Sequence, residues 1–129
     1  MIQIPYPSIL IRINRAYKSS MSKEELYECT RSKWKINPER AKKALYAFAV
    51  YKGEIMEVYE IISWHPAVSL PVLPSYQEGA KVNLKEGLSH RYEFEGRLAQ
   101  EFIRNQYIGQ SVRHFFKKGA VNPITYLNV

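Results

Sequence analysis

Two apolar runs separated by three residues constrain this chain more than any other feature. Leu45-Tyr46-Ala47-Phe48-Ala49-Val50-Tyr51 and Ile55-Met56-Glu57-Val58-Tyr59-Glu60-Ile61-Ile62 flank Lys52-Gly53-Glu54. Aromatic and branched residues in both runs favour strands, and glycine at the joint supplies the positive φ of a tight reversal. The pattern predicts a β-hairpin. A hairpin with one wet face alternates apolar and polar residues, whereas these runs carry apolar residues on both faces. The hairpin is therefore expected at the centre of a sheet or in a closed barrel.

The remaining segments supply what would flank it. Ile9-Leu10-Ile11-Arg12-Ile13, after Pro5 and Pro7, reads as an opening strand. Ser22 and Glu25 stand in capping-box spacing, which starts a helix over 23–31 with Leu26, Tyr27 and Thr30 turned inward. Cys29 on this helix reads as a small buried residue. Asn37 and Pro38 fit the N-cap and first position of a second helix. Its buried stripe is expected at Ala41, Ala44 and Leu45.

From His65 to His90 prolines and glycines break the pattern, as in a long and often functional loop. Residues 91–98 alternate, with charges on one face and Tyr92, Phe94 and Leu98 on the other, which predicts a half-exposed strand. A short helix over 100–105, a turn at Gly109 and a closing strand over 122–127 complete the reading. With no repeat, linker or low-complexity segment, residues 1–129 are expected to form a single α+β domain.

Composition narrows the chemistry. All twelve acidic residues are Glu; Asp does not occur. Asp-centred magnesium sites and Asp-containing triads are therefore excluded, which favours binding over catalysis. A single cysteine excludes an internal disulfide and cysteine-rich zinc sites, and His65, His90 and His114 show no metal-ligand spacing. No cofactor or metal is expected. Nothing approaches the length of an apolar membrane span, so the default expectation is cytoplasmic. Tyr107-Ile108-Gly109-Gln110-Ser111 with Arg113 resembles half of the GIY-YIG nuclease signature, but no Gly-Ile-Tyr precedes it and no Glu follows Glu101.

The formal charge of +7 suits an anionic partner. Arg31, Lys33, Lys35, Arg40, Lys42 and Lys43 crowd into thirteen residues with one Glu, and Trp34 stands between two of the lysines. Lysines that neutralise phosphates beside a ring that stacks on a base are what recognition of a nucleic acid requires. The competing reading has Trp34 anchor the helix-to-helix connection in the core and leaves the lysines merely solvated. Trp64-His65-Pro66 ends the second hairpin strand, where Trp64 either lines a pocket mouth or caps the core and His65 is placed to donate a hydrogen bond.

The order of a Trp, a short basic helix and two strands, running from Trp34 to Trp64, resembles the PUA-like superfamily, especially its EVE, YTH and ASCH branches. That resemblance implies a small curved mixed β-barrel flanked by short helices. It also implies nucleic-acid binding, with a modified base held in an aromatic pocket in EVE and YTH members. Trp34 matches the pocket-lining Trp of such domains, and Trp64 is the candidate second wall. The expectation is a non-catalytic module for DNA or RNA. Its base pocket would comprise Trp34, Trp64 and His65, and Lys33, Lys35, Arg40 and Lys43 would hold phosphates. The alternative is a protein-interaction or homodimerisation module, or one serving a separate effector protein, with strand 91–97 as its exposed edge.

Overall fold

The hairpin forms where the sequence places it. In the computed structural model, which describes residues 1–67 and 90–129, β3 (Tyr46–Tyr51) pairs antiparallel with β4 (Glu54–Pro66). The other strands are β1 (Ser8–Arg12), β2 (Ser32–Trp34), β5 (Tyr92–Leu98) and β6 (Ile124–Leu127). Among the described residues six strands make one sheet, ordered β2-β5-β4-β3-β1-β6. β1 runs parallel to β3 and every other pair is antiparallel. A parallel pair needs a crossover. It is provided by α1 (Lys23–Arg31), β2 and α2 (Pro38–Ala41).

Alternation along the central strands feeds two cores. Leu10, Phe48, Val50, Ile55 and Val58 pack with Ile103 and Tyr107 of α3 (Glu101–Tyr107). Ile9, Ile11, Ile13, Ala47, Ala49, Tyr59 and Phe94 form the other, with Cys29 of α1 and Ala44. This second face is the inside of a curl. Trp34 of β2 and Ile124 and Tyr126 of β6 come from opposite ends of the strand order, yet all three pack on it. Across the seam the Tyr126 hydroxyl accepts the Asn37 N–H at 2.8 Å. The small side chains of Ala44, Ala47 and Ala49 leave room for that curvature. The result is an α+β half-barrel with short helices at its margins.

The helices also cover strand edges that would otherwise present unpaired backbone groups. On β5, beyond its short pairing with β2, Gly96 N–H donates to the Tyr27 hydroxyl of α1 at 2.9 Å. On β4, the segment around α3 takes over: Ala99 N–H donates to the Val58 carbonyl, Gly109 N–H to Ile55, and Ile55 N–H to Gln110. A bulge between Ile61 and Ser63 resets which β4 side chains face the curl. Tyr59 and Ile61 face it first, and after the bulge Trp64 does. Gly96 sits opposite, where a Cβ would lie 2.6 Å from the Glu60 carbonyl oxygen.

Four expectations need correction. Leu45 is 51% exposed. Its N–H donates to Pro7 O and its carbonyl accepts from Ile61 N–H, so the chain is already extended there and the helical stripe ends at Ala44. Trp34 lies on a strand rather than in a connection. Strand 91–98 departs from simple alternation at two positions: Glu95 and Arg97 are exposed as expected, but Glu93 on the same face is 1% exposed, and Leu98 on the other is 41% exposed. β5 is not an exposed edge, because β2 and α1 cover it. The irregular stretch expected between His65 and His90 falls mostly on residues 68–89, outside the described residues. Among the described residues no helix is long and apolar enough to cross a membrane.

Candidate nucleic-acid interface

Trp34 ends a three-residue strand that begins directly after α1. Between Ser32 and Trp34 the register against β5 slips, and Lys33 takes a φ of 103°. Such a backbone is unfavourable for a side chain bearing a Cβ, on the order of 1–3 kcal/mol. It is held in place by Arg91, whose Nη1 donates to the Lys33 carbonyl at 2.9 Å. Trp34 is half-buried against the curled core. Its Nε1 donates to the Thr30 carbonyl at 2.7 Å, satisfying one of the open carbonyls at the end of α1. The ring's donor is thus engaged, and what it offers a ligand is an apolar face.

Trp34 lines a cavity of about 480 Å³, within the usual range for small-molecule and cofactor pockets. Arg12, Ile13, Asn14, Arg15 and Ala16 form one wall, and Ala120, Val121 and Pro123 another. Arg12 fixes the second wall, its Nη2 donating to the carbonyls of Ala120 at 3.0 Å and Asn122 at 2.6 Å. Its guanidinium also lies 4.7 Å from the Phe116 ring centroid. Arg15 is exposed at the rim.

All three segments that meet here lack carboxylates. No acidic residue occurs in 1–23, 29–38 or 102–129. Among the described residues Arg15, Lys33 and Lys35 make no ion pair.

The structure brings only part of the predicted set together. Trp64 also faces the curled core, and its Nε1 donates to the Ala41 carbonyl at 3.1 Å while its ring meets Phe94 edge-on. It does not line the Trp34 cavity. Trp34 pairs across from Tyr92 and Trp64 from Phe94, with β5 lying between their strands. The backbones that carry the indoles therefore stand roughly two strand spacings, ~10 Å, apart. His65 alternates to the opposite face from Trp64 and bonds Ser63 Oγ at 2.7 Å, so it cannot share a pocket with that indole.

Lys33 is half-buried and Lys35 exposed, on either side of Trp34. Arg40 stacks 4.2 Å from the Tyr126 ring centroid, and Tyr126 packs on the same core as Trp34. Lys43 is exposed beyond α2, away from the cavity. Two other members of the basic run are engaged elsewhere, Arg31 in a buried ion cluster and Lys42 with Glu39.

Sequence reasoning missed Arg12, Asn14, Arg15 and the 120–123 wall. The absence of acid over 1–23 was the available signal. Among the described residues no group of three His, Cys, Asp or Glu side chains is placed to hold a metal. Comparison with protein-family models, curated proteins and solved structures finds no match to this chain.

Proposed function

We propose that this protein is a nucleic-acid-binding module whose base pocket is the Trp34 cavity. A single observation carries the reading. The curl of the sheet gathers three carboxylate-free stretches around one half-buried indole, and exposed cations stand on two of them. In this reading a base enters the cavity and stacks on Trp34, while Arg15, Lys33, Lys35 and Arg40 neutralise the flanking phosphates. Phosphate contacts supply affinity and the cavity supplies selectivity. With Nε1 bound to Thr30, Trp34 contributes stacking area and no directional readout. A base with added apolar bulk, such as a methylated one, fits that chemistry. The curled sheet and the order of Trp34, α2, β3 and β4 support a PUA-like relationship as part of the same proposal.

The test is fluorescence anisotropy with labelled single- and double-stranded oligonucleotides, with and without methylated bases, at low and moderate salt. Salt-sensitive binding is expected. Trp34→Ala should weaken it by about 1–3 kcal/mol, the scale of one base–aromatic stack. Trp34→Phe, which keeps a smaller ring and loses the bond to Thr30, should retain more of the affinity than Trp34→Ala. Absence of binding by the wild-type protein at low salt would sink the proposal.

A further inference from the structure

A second cavity lies on the other side of the β3–β4 turn. It also measures about 480 Å³, and Met1, Ile2, Gln110, Ser111, Arg113 and His114 line it. One residue connects the two cavities. The Lys52 N–H donates to Asn14 Oδ1 at 2.9 Å, and Asn14 lines the Trp34 cavity. The Lys52 carbonyl accepts from Arg113 Nη2 at 2.9 Å, and Arg113 lines the second cavity.

The turn accommodates that arginine. Gly53 has a φ of 80°, and a Cβ there would stand 2.3 Å from Arg113 Cγ, so only glycine lets the side chain cross. Lys52 is exposed with a φ of 50°. Its ammonium lies 5.3 Å from the Tyr51 ring centroid, and Tyr51 is 4.4 Å from Tyr17, the residue after the cavity wall at Ala16. Lys52 and Arg113 meet at the turn, Arg15 follows Asn14 in sequence, and the Tyr17–Tyr51 pair lies beside Lys52; all three cations are exposed, and none makes an ion pair among the described residues. Glu54, the acid on this turn, is bridged through its backbone to Ser111, and its Oε1 points towards Gly109.

Taking the Trp34 cavity as a base pocket, we propose that the two cavities are the ends of one track for a single-stranded nucleic acid, and that Lys52 and Arg113 hold its phosphates between them. A base that enters a pocket must first leave its stack and its pairing partner, which favours a single strand over a duplex. Cations spaced along a surface with rings among them are the recurring means of holding such a strand.

The experiment measures the salt dependence of binding to a thymidine dinucleotide and to an oligothymidylate of about twelve nucleotides, a length within single-strand site sizes. The longer strand should bind more tightly and with the steeper slope. Lys52→Asn removes the charge with a residue that tolerates left-handed backbone, and Arg113→Gln removes the other. Each should lower the slope for the longer strand by about 0.7 for each phosphate no longer neutralised and leave the dinucleotide unchanged. Trp34→Ala should weaken both ligands.

If both charge variants stay folded and the slope does not move, the track is wrong while the base pocket stands. Should a duplex of the same length bind as tightly as the single strand, the single-strand assignment is overturned. Failure of the wild-type protein to bind either ligand at low salt would remove the pocket reading and the track with it. Lys52→Asn decides the matter even if Arg113→Gln loosens the turn.

Discussion

Two groups of cations in this molecule differ in what surrounds them. Arg31 is 1% exposed; its Nε donates to Glu28 Oε1 at 2.9 Å and its Nη1 to Glu93. Burial pulls its pKa down, but the hydrogen bonds and charges of the two carboxylates outweigh this and raise it. Arg104 makes two bonds to Glu57, at 2.8 and 2.9 Å, and that carboxylate raises its pKa in turn. Around the Trp34 cavity Arg15, Lys35 and Arg40 are exposed, and among the described residues none of them makes an ion pair. Net charge therefore states the sign of the excess and says nothing of its place. Here the carboxylates inside the sheet and along its covered edges consume their partners, and part of the surplus stands at the seam.

The largest effect should come from breaking the buried cluster. Arg31→Ala leaves Glu28 and Glu93 buried without a counter-charge, and the loss of stability should be about 3–5 kcal/mol in chemical denaturation. The comparison sharpens if all three residues change together. Arg31→Met with Glu28→Leu and Glu93→Leu should recover most of that loss, since an apolar replacement of a buried ionic group is often neutral or stabilising. A single Arg31→Ala variant within about 1 kcal/mol of wild type would mean that the cluster is wet. An exposed cation such as Arg15 should change stability by less than about 0.5 kcal/mol when neutralised.

The two tryptophans pose the same contrast between architecture and surface. Trp64 meets the Phe94 ring at 5.4 Å and ties β4 to α2 through Ala41. Trp64→Ala should cost about 3 kcal/mol, the low end for a truncated aromatic because the ring is only half-buried. It should leave the oligonucleotide affinity of the folded fraction unchanged. Trp34→Ala, likewise half-buried and bonded to Thr30, should lower stability as well, but it alone should lower the affinity of the folded fraction. An affinity loss in Trp64→Ala as large as in Trp34→Ala would reassign Trp64 to the pocket.

How much of this was legible depended on whether the cause was local. The capping box of Ser22 and Glu25 forms as read, with Glu25 N–H donating to Ser22 Oγ at 3.1 Å. The hairpin and its two covered faces also follow from residues within one window. β2 did not, because three residues with a left-handed Lys33 in the middle carry no period. Glu93 reads as solvent-facing by alternation, and its partner Arg31 stands 62 residues away. Of the cavity, the ring between two lysines was visible in the sequence. Arg15 and the 120–123 wall were not, since only the curl of the sheet carries them to Trp34.

Cys29 gives the smallest and most selective test of the same contrast. It lies on α1 two residues before Arg31 and is likewise buried. Arg31 keeps its charge because carboxylates meet it. No charge meets the Cys29 thiol in this way: Sγ donates to the Leu26 carbonyl at 3.3 Å, and burial, outweighing the hydrogen bond with Thr30, pushes its pKa up from 9.0 to about 11. Between those values the native state retains a proton that the unfolded chain has released, so stability should fall as pH rises through that window and be unaffected below it. Buried tyrosines titrate in the same direction, burial having raised Tyr27 and Tyr59 as well. The informative quantity is therefore the difference in urea midpoint between wild type and Cys29→Ala, which should be constant near neutrality and shift against the wild type above about pH 9. Alkylation by iodoacetamide at mildly basic pH should likewise track the unfolded fraction. A native thiol that reacts as fast as the unfolded chain would show that α1 does not shield Cys29, and would weaken the case for a dry Arg31 cluster on the same helix.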